Sequence, residues 1–179
     1  LSERNYRVWF AGGLVSNVGT WMQRIAQDWL VLTQLTDHSG TATGIVTGLQ
    51  FLPILLLSPY AGLVADRMSK LKMLKITQAA SGVLALLLGI LVLTNVAELW
   101  HVYVIAGLLG VVAAFDGPPR QALVNDLVPH RLVPNAVSLN ATSFNAARLA
   151  GPGIAGILIA LIGTGWLFLL NAASYVAVI

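Results

Sequence analysis

Long apolar runs broken by short polar strings divide the chain into six segments, each close to the roughly 20 apolar residues that span a bilayer core. The first covers residues 6–33 and is closed by the turn-forming string Thr36, Asp37, His38, Ser39 and Gly40. The second covers 43–65, contains Pro53 and Pro59, and stops at Asp66, Arg67, Met68, Ser69 and Lys70. Prolines inside such a run predict kinks, because neighbouring helices can satisfy the freed carbonyls. A third segment, 73–93, turns through Asn95 and Glu98 into a fourth, 99–120, whose end past Asp116 is polar. A polar link follows, with Pro118, Pro119, Arg120, Asp126, Pro129, His130, Arg131 and Pro134. The fifth, 135–162, is polar in its first half, and the turn Gly163-Thr164-Gly165 leads into the sixth, 166–179. The pattern predicts an all-α integral membrane protein.

Segments that alternate in direction sort the connections into two sets. Arg4 and Arg7 precede the first segment, Arg67, Lys70, Lys72 and Lys75 follow the second, and Arg120 and Arg131 follow the fourth. The other three connections hold no Lys or Arg. The positive-inside rule therefore predicts a multi-pass membrane protein with its N-terminus in the cytoplasm. Trp100, Tyr103 and Trp166 then fall at the outer interface, as in an aromatic belt.

Composition sharpens this picture. Of 179 residues 57% are hydrophobic and 9% charged, against roughly 25% charged in a soluble domain, which excludes both an ordinary soluble fold and disorder. The net charge of +3 is accounted for by the inside connections, so nucleic acid is not an expected partner. With no cysteine, disulfides, thiolate metal sites and thiol nucleophiles are excluded. The chain opens on Leu1 and closes in an apolar run at Ile179, as expected of a piece of a longer protein.

Charges inside the bilayer are costly and mark pathways or internal pairs. Arg24 and Asp28 lie one turn apart in the first segment, and Asn17 and Trp21 extend the same face. Two readings fit: a substrate or proton path along this face, or a structural ion pair that locks helices together. Burial and the neighbouring guanidinium act on the Asp28 proton in opposite senses, so spacing alone does not settle whether it carries one. Arg148 is the second isolated charge, near Asn140 and Ser143 in the fifth segment. It suits an anionic substrate group, a carboxylate on another helix, or snorkelling to the interface. No enzyme constellation accompanies these charges. His38, His101 and His130 are scattered in connections, no metal-binding His-Glu-x-x-His occurs, and Gly151-Pro152-Gly153 lacks the Gly-Lys-Ser/Thr ending of a phosphate loop. No cofactor or metal is expected.

The string Gly62-Leu63-Val64-Ala65-Asp66-Arg67-Met68-Ser69-Lys70 resembles the loop between helices two and three of the major facilitator superfamily. Val64, Ser69 and Leu71 depart from the family pattern. Resemblance implies a cytoplasmic latch made by Gly62, Asp66, Arg67 and Lys70, with Gly62 allowing close helix contact. In the fifth segment Ala147, Gly151, Pro152, Ala155 and Gly156 resemble the exporter signature of that superfamily, with alanine at two glycine positions. Taken with Asp116-Gly117-Pro118-Pro119-Arg120-Gln121-Ala122, Asn135-Ala136 and Leu139-Asn140, the chain is most similar to the bacterial branch of enterobactin-type siderophore exporters and macrolide efflux proteins.

That resemblance implies the six-helix N-terminal half of a twelve-helix fold, a half-domain over residues 1–179 whose partner is a missing C-terminal half. Within it a three-plus-three inverted repeat is expected, and a proline before small residues at Pro59 and at Pro152 agrees. The implied activity is secondary export, driven by protons as an antiporter, of an amphipathic drug or siderophore by alternating access. Arg24, Asp28, Asn17, Trp21 and Arg148 would line the path. The alternative is a lipid flippase or a non-transporting membrane protein on the same scaffold.

Overall fold

Turn chemistry explains where the helices begin and end. The computed structural model describes residues 4–176, so residues 177–179 of the sixth predicted segment lie outside the described residues. Helix α1 (Arg4–Leu30) ends in a π-helical turn, Val31–Leu35. A bend with His38 in the left-handed region (φ 56°) leads to α2 (Gly40–Arg67), capped by the Ser39 side chain accepting from the Ala42 amide at 3.2 Å. After Met68 the chain re-enters helix as α3 (Lys70–Leu93). Asn95, at φ 57°, makes the turn into α4 (Leu99–Leu127), where Glu98 and His101 form a reciprocal capping box. A 3-10 turn, His130–Leu132, precedes α5 (Val133–Val176).

Two expectations are revised. The fourth helix does not end near residue 120: it runs on to Leu127, with Pro118 and Pro119 inside it. This stretch reads as polar because one side is, yet its other side carries Pro119, Leu123 and Val124, all buried. Val124 packs with Tyr6 and Ala136, and the Arg120 and Asp116 side chains pair one turn apart at 2.8 Å. That burial and pairing offset the backbone hydrogen bonds the prolines cannot make. The second revision concerns Gly62, which meets no atom within 4 Å of where a Cβ would stand. Among the described residues no other helix packs against it, which leaves its latch role to a surface outside this half.

Helix α5 is broken at Gly163, whose φ of 81° and ψ of 168° are not helical. Only glycine adopts such a backbone at little cost, and here the chain reverses. On the first limb Ala136 meets Tyr6 and Gly151 meets Trp21, so this limb runs parallel to α1. On the second limb Thr164 pairs with Gln34, Asn171 with Gln23 and Tyr175 with Thr20, so it runs antiparallel to α1. The second limb also lies antiparallel to α3, with Gly165 against Leu93, Gly89 against Leu169 and Gly82 against Tyr175. Helix α2 runs beside α4 in the same direction, where Gly110 abuts Leu49, Gln50 and Pro53. Helices α3 and α4 are antiparallel, joined at Thr77–Asp116 and Lys70–Asp126.

The main core holds Ala26, Leu30, Val31, Val46, Leu88, Val102, Ala106, Leu167 and Phe168. Small residues at its seams let helices approach closely, the usual means of packing in lipid, where no hydrophobic effect drives helices together. Outward, Leu55, Leu149 and Leu161 are more than 70% exposed. Such surfaces suit hydrocarbon as solvent. Helices α2, α3 and α4 and the stretch His130–Val176 are each long and apolar enough to cross a membrane.

Candidate functional site

Trp21 is the centre of the constellation that the sequence pointed to. Its position one turn before Arg24 brings the Arg24 guanidinium over its ring, with Cζ 4.9 Å from the centroid. Phe51 of α2 takes the same guanidinium at 4.4 Å, so Arg24 lies against two aromatic rings. From the first limb of α5, Arg148 brings its Cζ to 5.5 Å from the Trp21 ring, and Phe144 meets that ring edge-on at 5.8 Å. Arg24 and Arg148, 124 residues apart in sequence, therefore share one indole. The approach is possible because Gly151 sits directly behind Trp21: a Cβ there would stand 2.6 Å from Trp21 Cβ. Asn17, half-buried, lies one turn before Trp21 on α1.

Arg24 and Asp28 do not form an ion pair. Among the described residues the Lys or Arg side chains within 4.0 Å of a carboxylate are Lys70 with Asp126 and Arg120 with Asp116, and the His38 ring lies 3.7 Å from Asp37. The Arg24 fork is turned to the aromatic rings instead, which removes the expectation that it locks helices through Asp28. Asp28 is half-buried, faces the Thr47 hydroxyl of α2, and has its Oδ1 buried without a hydrogen-bond partner. Buried amides continue behind it. Gln50 Nε2 donates to Gln27 Oε1 at 2.9 Å, and Asn171 Nδ2 donates to Gln23 Oε1. Nε2 of both Gln23 and Gln27 has no partner. Polar side chains that are cheap on a soluble surface are costly here, so this string gives α1 a polar flank through the core.

Sequence reading missed a second buried network. Asp116 Oδ1 accepts from Thr77 Oγ1 at 2.6 Å and Gln78 Nε2 at 2.9 Å, and Oδ2 accepts from Arg120 Nε at 2.8 Å. Ser16 Oγ of α1 donates to Gln78 Oε1 at 3.1 Å. The Arg120 and Asp116 side chains are 14% and 18% exposed, so this pair belongs to the helix bundle and not to a solvated connection. A usable signal was present: Asp116 and Arg120 are spaced i, i+4, and Thr77 and Gln78 interrupt an otherwise apolar run.

The latch string and the α5 stripe divide by environment. Lys70, at the start of α3, reaches Asp126 at the end of α4 at 2.7 Å, while Asp66 and Arg67 are exposed. Ala147, Gly151 and Ala155, at four-residue spacing, are buried. Gly156 is exposed and Pro152 half-buried, away from that seam. Among the described residues no group of three His, Asp or Glu side chains could hold a metal ion.

Residues 1–179, the whole chain, match the family described as transmembrane secretion effector. Over 170 residues the chain is 33% identical to the staphyloferrin A transporter of Staphylococcus aureus, covering 94% of this chain and 42% of that protein. It is 24% identical over 175 residues to the uncharacterized MFS-type transporter YfiS of Bacillus subtilis, covering 97% of this chain and 40% of that protein. The chain thus spans about two-fifths of the length of the curated relatives it matches. Its apolar helices, its polar α1 face and this match agree that the chain is a multi-pass membrane protein of the transmembrane secretion effector family, within the major facilitator transporters, which are not enzymes.

Proposed function

We propose that the intact protein is a proton-coupled exporter of amphipathic small molecules, with a siderophore as its substrate class, working by alternating access in the bacterial cytoplasmic membrane. The observation that carries this reading is the Arg24–Trp21–Arg148 cluster beside Asp28, a carboxylate whose Oδ1 is buried and unpartnered. A group so placed gains and loses a proton without breaking an ion pair. The transport of a siderophore named for the staphylococcal relative supports the substrate class. Asn17 extends the same path towards the N-terminal end of α1.

In this reading the chain supplies six crossings arranged as a three-plus-three inverted repeat, with N-terminus and basic connections inside. The packing supports it. Exchanging α1 with α4, α2 with the first limb of α5 and α3 with its second limb turns the α1–first-limb seam into the α4–α2 seam, and returns α3 to the second limb. Gly62, Asp66, Arg67 and Lys70 form the latch, supported by Lys70 bridging to Asp126 while Asp66 and Arg67 stay exposed to a second half. Ala147, Gly151 and Ala155 hold α5 on α1, leaving Pro152 and Gly156 towards that half.

The test is efflux by the intact protein in proteoliposomes of defined lipid under an imposed pH gradient, comparing wild type with Asp28→Asn and Asp28→Glu. Gradient-driven efflux lost in Asp28→Asn and retained in Asp28→Glu supports the reading. Flux that ignores both gradient and substitution removes Asp28 from coupling, and movement of labelled lipid in place of solute would select the flippase alternative.

A further inference from the structure

We propose that the Trp21 cluster is a two-point anion clamp: Arg24 and Arg148 together select an amphipathic substrate carrying at least two negative groups, and the cluster rejects cationic compounds. The proposal rests on the exporter reading for its place in transport, and it narrows that reading's substrate class to polyanions.

Geometry comes first. Each guanidinium carbon lies within 5.5 Å of the same ring centroid, so the two are no more than about 11 Å apart, within reach of one small molecule. Both are fork-shaped donors whose planar N–H groups match carboxylate or phosphate oxygens bidentately. Neither lies within 4.0 Å of a carboxylate oxygen among the described residues. Arg120 and Lys70, by contrast, each have a carboxylate at 2.7 to 2.8 Å. Arg24 is half-buried and Arg148 exposed, so a solute can reach both, and the half-buried guanidinium beside apolar rings is costly unless an anion completes it.

The aromatic residues give the same answer from the other side. Trp21, Phe51 and Phe144 could by themselves attract a cationic ligand through their ring faces. Here Arg24 already occupies faces of Trp21 and Phe51, and Arg148 a face of Trp21. A cationic ligand would have to displace one guanidinium and face the other. Phe51 and Phe144 remain 43% and 46% exposed, which leaves their rings to stack on an apolar or aromatic body between the two anionic ends.

The test is equilibrium binding to the intact protein in lipid nanodiscs, with terephthalate as aromatic dianion, its monomethyl ester as monoanion and tetraphenylphosphonium as cation. Binding needs no gradient, so failure of the exporter reading in the efflux assay and failure of this proposal are separately visible. Terephthalate is expected to bind about tenfold or more tightly than the monoester, the scale of one added charge-assisted contact. Arg24→Gln and Arg148→Gln should each bring the two anions to within about threefold, while Arg148→Lys, which keeps the charge and loses the fork, retains part of the preference. Monodisperse elution of each variant guards against misfolding. Tighter binding of the cation, equal binding of the two anions, no binding of terephthalate at millimolar concentration, or a preference that survives Arg148→Gln would each overturn the proposal.

Discussion

Replacing Asp116 with alanine removes the acceptor for three donors at once: Thr77 Oγ1 at 2.6 Å, Gln78 Nε2 at 2.9 Å and Arg120 Nε at 2.8 Å. The Arg120 side chain, 14% exposed, is left without a counter-charge in the bundle. Breaking a buried pair in this way costs about 3–5 kcal/mol, because the stranded charge stays desolvated. Removing both charges is different, since a pair replaced by hydrophobic groups of similar volume is often neutral. Asp116→Ala is therefore expected to lose about 3–5 kcal/mol of stability, and adding Arg120→Met should return at least about half of that. The assay is reversible unfolding of the intact protein in mixed micelles, followed by helical circular dichroism, for wild type, both single variants and the double variant. A loss under about 1 kcal/mol for Asp116→Ala, or a double variant whose loss equals the sum of the singles, would refute the argument that this network holds α1, α3 and α4 together.

Other outcomes follow from the same packing. Gly151→Val places a side chain against Trp21 Cβ, where even a Cβ would stand at 2.6 Å; separating α1 from α5 should cost about 1–3 kcal/mol, read as a lowered unfolding midpoint. Replacing Gln27 and Gln50 together by leucine removes one hydrogen bond of 2.9 Å and the unpartnered Gln27 amide, so the double variant should match wild-type stability to within about 1 kcal/mol, while either single variant is less stable. Lys70→Ala breaks a pair whose side chains are 35% and 54% exposed; stability should change by about 0–1 kcal/mol, and under the latch reading the transport rate should fall far more than stability does. Asp28→Asn should abolish gradient-driven efflux without loss of monodisperse protein.

Much of this protein is readable along the chain because lipid imposes a simple rule: every crossing must be a long apolar helix that satisfies its own backbone. The all-helical character, the turns at Asn95 and Gly163 and the family follow from that rule and from short strings such as Gly62–Lys70. Arg24, Trp21 and Asp28 also stand out locally, since charge in an apolar run is conspicuous. What tertiary structure alone decided is which groups meet. Sequence spacing offers Asp28 as the natural partner of Arg24, yet the guanidinium turns to Trp21 and to Phe51 on another helix, and Arg148 arrives at the same indole from 124 residues away. The end of α4 shows the same limit: Pro118, Pro119 and Arg120 look like a solvated link until Val124 is packed on Tyr6 and Asp116 is surrounded by α3 donors. The physical reason is that periodicity reports how each helix meets an average surrounding, whereas ion pairing and ring stacking depend on distances of 3 to 6 Å set between helices by small residues such as Gly151 and Gly110.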